Sequence, residues 1–249
     1  QLQAGTLVAF PTETVYGLGA DATNAEAVAR IYTVKGRPAD HPLIVHVADA
    51  QDISEWASEI PDYAIDLARN FWPGPMTLIL KRTELAKDFI TGNQETVGLR
   101  VPDHTLALAL LSAFKKIGGK GVAAPSANPF GYVSPTTAQH VADQLGNQLN
   151  VILDGGPCEV GIESTIVGWN HETAQVVVYR LGGISVEDIE RVWGGPVEIK
   201  MSSSRPAAPG MLDQHYSPKK PLYLVQDQNQ IPTQAGLYGV LSFNQRLKG

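Results

Sequence analysis

The chain has 249 residues, of which 43% are apolar and 18% charged, enough for one large α/β domain with a substantial core, or one domain plus a fragment. A formal net charge of −6 argues against a general nucleic-acid coating protein but leaves room for a local basic pocket. The single cysteine, Cys158, excludes a disulfide framework and a multi-cysteine zinc site, and it fits a reducing compartment.

Apolar runs alternate with helical periodicity along the chain, the pattern of an α/β protein. The runs that read as strands are residues 6–10, 42–47, 76–81, 97–101, 121–124, 151–153, 164–167 and 176–179. The stretches that read as helices are 25–35, 62–71, 104–117, 135–145 and 186–193. Asn24 caps the first helix and Gly36 stops it. Ser134 reads as an N-cap with Pro135 at the first helical position, and Ser185 with Asp188 resembles a capping box. The strand at 97–101 does not alternate with a helix, so a mixed sheet is expected, not a purely parallel one. Residues 201–220 are rich in Ser and Pro, lack any period and read as a linker. Beyond them, 221–225 and 236–243 read as two strands of a second α/β unit, too short to stand alone, as though the chain were truncated or the strands docked elsewhere. No apolar run reaches the roughly 18 residues of a membrane-spanning helix, and the chain opens directly on an apolar strand pattern, so a cytoplasmic protein is expected.

Several short segments carry chemistry. Lys35-Gly36-Arg37-Pro38 offers two cations beside a Gly-Pro turn, a planar fork and a point charge suited to phosphate oxygens; the same residues also suit an ordinary helix C terminus. Pro125-Ser126-Ala127-Asn128-Pro129 ends a buried strand, where α/β proteins place ligands, and Ser134 heads a helix whose free N–H groups favour an anion; both also read as plain turn and cap chemistry. Thr12, Glu13 and Thr14 follow a buried strand and lead to a glycine turn. His46 sits alone in an apolar run, with no second ligand at metal spacing, so no protein-held transition metal is expected. Arg100 and Arg180 end apolar runs, and each needs an anion from the protein or a ligand. Glu163 reads as a magnesium or amine ligand or as a plain surface carboxylate, next to Ser164 and Thr165 at the start of a strand. There is no phosphate-binding P-loop, no dinucleotide-type G-x-G-x-x-G and no G-x-S-x-G nucleophile elbow.

Six motifs in order then resemble one family: Pro11-Thr12-Glu13-Thr14-Val15-Tyr16-Gly17-Leu18-Gly19, Lys35-Gly36-Arg37-Pro38, Pro42-Leu43-Ile44-Val45-His46, Trp72-Pro73-Gly74-Pro75-Met76-Thr77, Ala124-Pro125-Ser126-Ala127-Asn128 and Glu163-Ser164-Thr165-Ile166-Val167. From about residue 5 to 200 the chain resembles the threonylcarbamoyl-AMP synthases with a YrdC-like domain, and Pro209-Gly210-Met211 with His215-Tyr216-Ser217-Pro218 resembles the linker of their longer form. The resemblance implies an α/β fold, a twisted mixed sheet with flanking helices around a large cavity, in residues 1–200; a lid in 201–220; and the start of an incomplete C-terminal α/β domain in 221–249. It implies that L-threonine, bicarbonate and ATP give threonylcarbamoyl-AMP and pyrophosphate, and that partner proteins then pass the group to tRNA. It implies that Thr14, His46, Arg100, Ala124 and Ser164 hold threonine, with Arg100 on its carboxylate. Arg37, Thr96, Ser126, Ser134 and Arg180, with Lys35 and Asn128, would contact ATP, and His215 and Tyr216 would close over it. Lys35, Arg37, Ser126 and Asn128 form the expected catalytic set. His41 stands where the family usually has Asn, which makes a phosphate contact there more pH-sensitive. Such chemistry needs juxtaposition and charge neutralisation, with no enzyme nucleophile, and Mg²⁺ would arrive with ATP. Two other readings remain open. An RNA-binding module using a basic cavity is opposed by the net charge and the lack of an aromatic-basic stripe. An O-carbamoyl transfer domain of the hydrogenase-maturation kind needs cysteine zinc-finger segments that one cysteine cannot supply.

Overall fold

The first helix, α1 (Ala25–Lys35), starts and stops where its flanking residues dictate. Asn24 accepts from the Ala27 N–H, and Gly36 takes a left-handed φ of 63° that a side chain would strain, donating back to the carbonyls of Thr33 and Tyr32. Three further segments fall on the expected bounds: α3 (Asp62–Phe71), α7 (Val186–Trp193) and strand β4 (Met76–Lys81). The structure, a computed structural model, describes residues 1–200; the chain divides into units 1–217 and 218–249. The linker at 201–220 with His215 and Tyr216, and the strands at 221–225 and 236–243, lie outside the described residues.

The remaining strands are β1 (Val8–Phe10), β2 (Gly17–Asp21), β3 (Ile44–His46), β5 (Thr96–Arg100), β6 (Val122–Ala123), β7 (Thr165–Asn170), β8 (Gln175–Arg180) and β9 (Glu198–Ile199). They form one sheet in the order β1-β2-β6-β3-β5-β4-β7-β8-β9. The pairs β3–β5, β4–β7 and β8–β9 are parallel and the others antiparallel, so the sheet is mixed, as expected. The remaining helices are α2 (Ile53–Trp56), α4 (Asp88–Thr91), α5 (Thr105–Lys116) and α6 (Ala138–Leu145).

Three expectations are corrected. β2 has the unpromising sequence Gly-Leu-Gly-Ala-Asp, yet the sheet needs it: a Cβ on Gly19 would lie 2.8 Å from Val122 Cγ1 and 2.9 Å from Phe10 Cε1. Helix α6 begins at Ala138, not Pro135, and its cap is Thr137, whose side chain accepts from His140 N–H. Ser134 has its hydroxyl on Glu163 instead, and the Pro135 carbonyl accepts from Tyr16 N–H, so that stretch stays outside the helix. Residues 151–153 make a single parallel bridge, Ala9 with Ile152, at the sheet edge and no named strand.

Side-chain alternation along the strands divides the core. Val45, Leu78, Leu99, Val167 and Val178 point into the large cluster with Ile31 of α1, Leu67 of α3 and Ile189 of α7. Trp169 stacks on Tyr63 at 5.1 Å, and Trp193 meets both rings edge-on, which fastens α7 against α3. On the other face, Ala107, Leu111 and Phe114 of α5 cover Val8, Phe10, Val122 and Ala124. Ile44, Ile79 and Ile166 form a separate small cluster on that face, beyond the reach of α5. Gly98 lies among them, where a Cβ would stand 3.3 Å from Ile79 Cδ1 and 3.4 Å from Ile44 Cγ1. From this part of the sheet, Ile44 lines a cavity. Among the described residues no helix is long and apolar enough to cross a membrane.

Candidate active site

The cavity is an open cleft of about 540 Å³, open solvent included. Strand register builds its centre: His46 at the end of β3 is the partner of Arg100 at the end of β5, and both point to the open face with Ile44. The β1–β2 connection supplies Thr12, Thr14 and Val15, the segment after β6 supplies Ala124, Pro125 and Ser126, and Glu163, Ser164 and Arg180 come from the β7–β8 side.

At one end, Arg100 is buried. Its Nη2 forms an ion pair with Glu13 Oε1 at 2.7 Å and donates to Thr14 Oγ1 at 2.9 Å, while Nε donates to Gly74 O at 3.2 Å. Burial lowers its pKa and the Glu13 charge opposes this; a guanidinium so placed stays charged. Thr12 shapes the turn beneath: its hydroxyl donates to Val15 O at 2.7 Å and accepts from the backbone N–H groups of Thr14 and Val15. His46 is pushed down to about 3, first by burial and then by the Arg100 charge, so its imidazole is neutral. Its Nδ1 is buried without a hydrogen-bond partner.

Along the β7–β8 wall, Ser164 is held by three groups. Its hydroxyl shares a 2.8 Å hydrogen bond with Thr77 Oγ1. Arg180 donates to Ser164 O from Nε at 3.0 Å and from Nη2 at 2.9 Å, and to Ser164 Oγ at 3.0 Å. Arg37 on the far side donates from Nη2 to Pro42 O at 2.9 Å and lies 5.8 Å over the Phe130 ring.

Of the residues singled out in the sequence, Thr12, Thr14, Arg37, His46, Arg100, Ala124, Ser126, Glu163, Ser164 and Arg180 line the cavity. Lys35, His41, Thr96, Asn128 and Ser134 are not among the lining residues. Lys35 turns inward from the last turn of α1, and its Nζ donates to Ser126 O at 2.6 Å and Asn128 O at 2.5 Å. Burial, reinforced by the Arg37 charge and opposed by Glu163, lowers it to about 7. Asn128 donates from Nδ2 to Pro129 O and Tyr132 O, so it shapes the loop from within. The same loop is stitched to β2 by Leu18 N–H to Pro125 O at 2.7 Å and Ala127 N–H to Tyr16 O at 2.8 Å. His41 packs on Phe130 with ring centres 5.5 Å apart, and its pKa is lowered by burial and then by Arg37. Thr96 opens β5 opposite Lys81, two residues before Gly98. Ser134 reaches the cavity wall through Glu163, donating to Oε1 at 2.5 Å. Ile44 and Val15 were not anticipated as lining; Ile44 comes there by its register beside Gly98 on the face of His46, and Val15 by the turn of the β1–β2 connection.

Among the described residues no group of three His, Cys, Asp or Glu could hold a metal ion, and Glu163 is the one carboxylate residue lining the cavity. The arrangement offers fixed cations and neutral hydrogen-bonding groups to a ligand with several anionic oxygens and a polar head.

The fold is a mixed α/β sheet, and the cavity on one face of it is lined by three arginines, a neutral histidine and hydroxyls. The Sua5–YciO–YrdC family model, described as "Telomere recombination", matches residues 1–182, and a model described as "Threonylcarbamoyl-AMP synthase, C-terminal domain" matches residues 184–248. The chain belongs to the Sua5–YciO–YrdC family. It is 43% identical over 229 residues to a threonylcarbamoyl-AMP synthase of Pyrococcus abyssi, covering 90% of this chain and 66% of that protein. It is 44% identical over 230 residues to one of Bacillus subtilis, covering 90% of this chain and 64% of that protein. The chain therefore spans just under two thirds of the length of these relatives. A crystal structure of P. abyssi Sua5 complexed with L-threonine superposes with a TM-score of 0.80 at 44% identity, covering 87% of this chain and 63% of that one. E. coli YciO, at 24% identity, shares the fold with a TM-score of 0.65, covering 76% of this chain and 88% of that one.

Proposed function

We propose that this chain is the catalytic part of a threonylcarbamoyl-AMP synthase, which converts L-threonine, bicarbonate and ATP into threonylcarbamoyl-AMP, pyrophosphate and water. The observation that carries this reading is one cavity with two chemically distinct ends: Arg100 with Thr14, His46 and Ser164 at one, Arg37 with Ser126 at the other. Relatives over 40% identical across 90% of this chain bear that activity as their name, which supports it further.

Arg100, held by Glu13, receives the threonine carboxylate through its remaining donors. Neutral His46 and the hydroxyls of Thr14 and Ser164 meet the side-chain hydroxyl. The threonine amine attacks the bicarbonate carbon and water leaves; a carbamate oxygen then attacks the α-phosphorus and pyrophosphate leaves. Neither step requires a protein nucleophile, so the contribution of the chain is alignment and charge neutralisation. Arg37, its guanidinium set against Phe130, offers a fork to phosphate oxygens; Ser126 donates beside it, and Arg180 supports the wall through Ser164. His41, Thr96 and Ser134 flank this end, and Lys35 and Asn128 fix the loop that presents Ser126. Mg²⁺ enters with ATP and, when bound, neutralises the triphosphate and the leaving pyrophosphate. The enzyme works in the cytoplasm, and its product goes to proteins that transfer the threonylcarbamoyl group to tRNA.

Incubation with Mg²⁺, ATP, bicarbonate and labelled threonine tests the reading. Pyrophosphate release that needs both threonine and bicarbonate, with label appearing in an adenylate, is the expected result. Release independent of either co-substrate would remove it.

A further inference from the structure

Neither end of the cavity accounts for Glu163. We propose that the Glu163 carboxylate receives the ammonium group of the bound amino acid, and so selects α-amino acids over the corresponding α-hydroxy acids. The proposal deepens the synthase reading and rests on it.

A zwitterion needs two opposite charges set a few ångströms apart. Arg100 serves the carboxylate. Three arginines line the cavity, and their summed field opposes an ammonium unless an anion stands beside it. Glu13 is not among the lining residues; it is buried and ion-paired with the Arg100 guanidinium. His46 is neutral, and a hydroxyl cannot neutralise a cation. Among the described residues, Glu163 is the carboxylate residue that remains.

Its place is fixed. Val160 N–H donates to Glu13 O at 2.8 Å and Gly161 N–H to Thr14 O at 3.1 Å, which ties the approach to Glu163 onto the segment that holds Arg100. Gly183 N–H donates to Glu163 O at 3.1 Å from the other side. The next residue in the chain, Ser164, is the threonine-end hydroxyl. Ser134 orients the carboxylate by donating to Oε1, and Oε2 is left for an ammonium N–H.

Calorimetric titration of the 249-residue chain with L-threonine, and with the analogue that carries a hydroxyl in place of the amine, tests this. The wild type is expected to bind threonine about tenfold tighter or more, equivalent to about 1.4 kcal/mol. Glu163→Gln keeps an oxygen for Ser134 but removes the charge, and it is expected to bring the ratio close to one. A Glu163→Gln variant that keeps the wild-type ratio overturns the proposal, as does a wild type that binds both ligands equally. MgATP is titrated in parallel: a variant that loses MgATP affinity while discriminating as before assigns the carboxylate to the cation of the nucleotide, and also overturns it. If Glu163→Gln does not fold, Glu163→Asp replaces it; its shorter reach should lower the ratio severalfold, and an unchanged ratio overturns the proposal. A wild type that binds neither ligand removes the synthase reading itself, an outcome distinct from threonine binding without discrimination.

Discussion

The Lys35 ammonium donates to the main-chain oxygen of Asn128 at 2.5 Å, and to that of Ser126 at 2.6 Å, so the last residue of α1 fastens the loop that lines the cavity. Both carbonyls lose their donor if the amine is removed, and an orphaned buried acceptor costs about 1–3 kcal/mol. Lys35→Met keeps the apolar stem and removes only the donors. Urea unfolding should show a loss of roughly 2–4 kcal/mol, and the affinity for ATP should fall with it as Ser126 drifts. A variant as stable as the wild type would mean that the loop is held by its stitches to β2 alone.

The same burial gives a pH signature. The folded value of Lys35, about 7, lies below the ordinary lysine value of about 10.4. Between those values the unfolded chain binds one more proton, so stability rises with pH, by up to about 1.4 kcal/mol per unit. Lys35→Met should flatten that rise between pH 7.5 and 9.5. His46 behaves alike lower down: its folded value of about 3 lies below the ordinary 6.5, so the unfolded chain takes up the extra proton as pH falls below 6.5. Stability is lost on acidification through that window, and His46→Gln should remove part of the loss. Denaturation midpoints measured from pH 4 to 9.5 check both signs.

How much of this was legible in the sequence depends on whether a local signal and the tertiary need agreed. They agreed at α1, where Asn24 and Gly36 are both cap residues by chemistry and by outcome. They disagreed at β2, because two glycines argue against a strand until Phe10 and Val122 are seen to crowd Gly19. They disagreed at Ser134, which looks like a helix cap but has its hydroxyl on a carboxylate 29 residues away. Lys35 is the instructive case: a lysine ending a helix reads as a dipole partner or a phosphate ligand, and nothing local says that it folds inward onto carbonyls some 90 residues further along. The arginines were easier, since a cation ending an apolar run must find an anion, and Arg100 has Glu13.

Glu13 and Arg100 form a buried pair with side chains 7% and 5% exposed. Removing one partner of such a pair strands the other charge, at a cost of about 3–5 kcal/mol. Glu13→Ala should therefore lower stability by about that amount. Glu13→Gln, which can still accept from the guanidinium, should lose less stability yet weaken threonine binding, because Arg100 is no longer held in one orientation. Thermal melts together with threonine KM separate the two effects; a threonine KM unchanged in Glu13→Gln would show that Arg100 is held without Glu13.

Arg37 serves the nucleotide end in the proposed reaction. Arg37→Ala should raise the KM for ATP by roughly 10- to 100-fold, as expected for a lost charge-assisted phosphate contact, with threonine binding largely kept. Arg37→Lys should restore little, since an ammonium lacks the planar fork and the stacking on Phe130. Equal turnover at low ATP in Arg37→Ala would place Arg37 outside the site.

Gly182 is required on steric grounds. A Cβ there would lie 2.3 Å from Glu163 O, 2.5 Å from Ser164 C and 2.5 Å from Thr165 N, all backbone atoms that cannot rotate aside. Gly182→Ala must therefore displace the strand start that carries Glu163 and Ser164, and a shift of about 1 Å at a positioning site costs on the order of 100-fold in turnover. Gly118→Ala is the matched control: its left-handed φ of 96° strains any side chain by about 1–2 kcal/mol, but a Cβ there meets nothing within 4 Å. Melting temperature should fall in both variants, while kcat/KM should collapse only in Gly182→Ala. Retained activity in that variant would show that the Glu163–Ser164 backbone has room to move without disturbing the site.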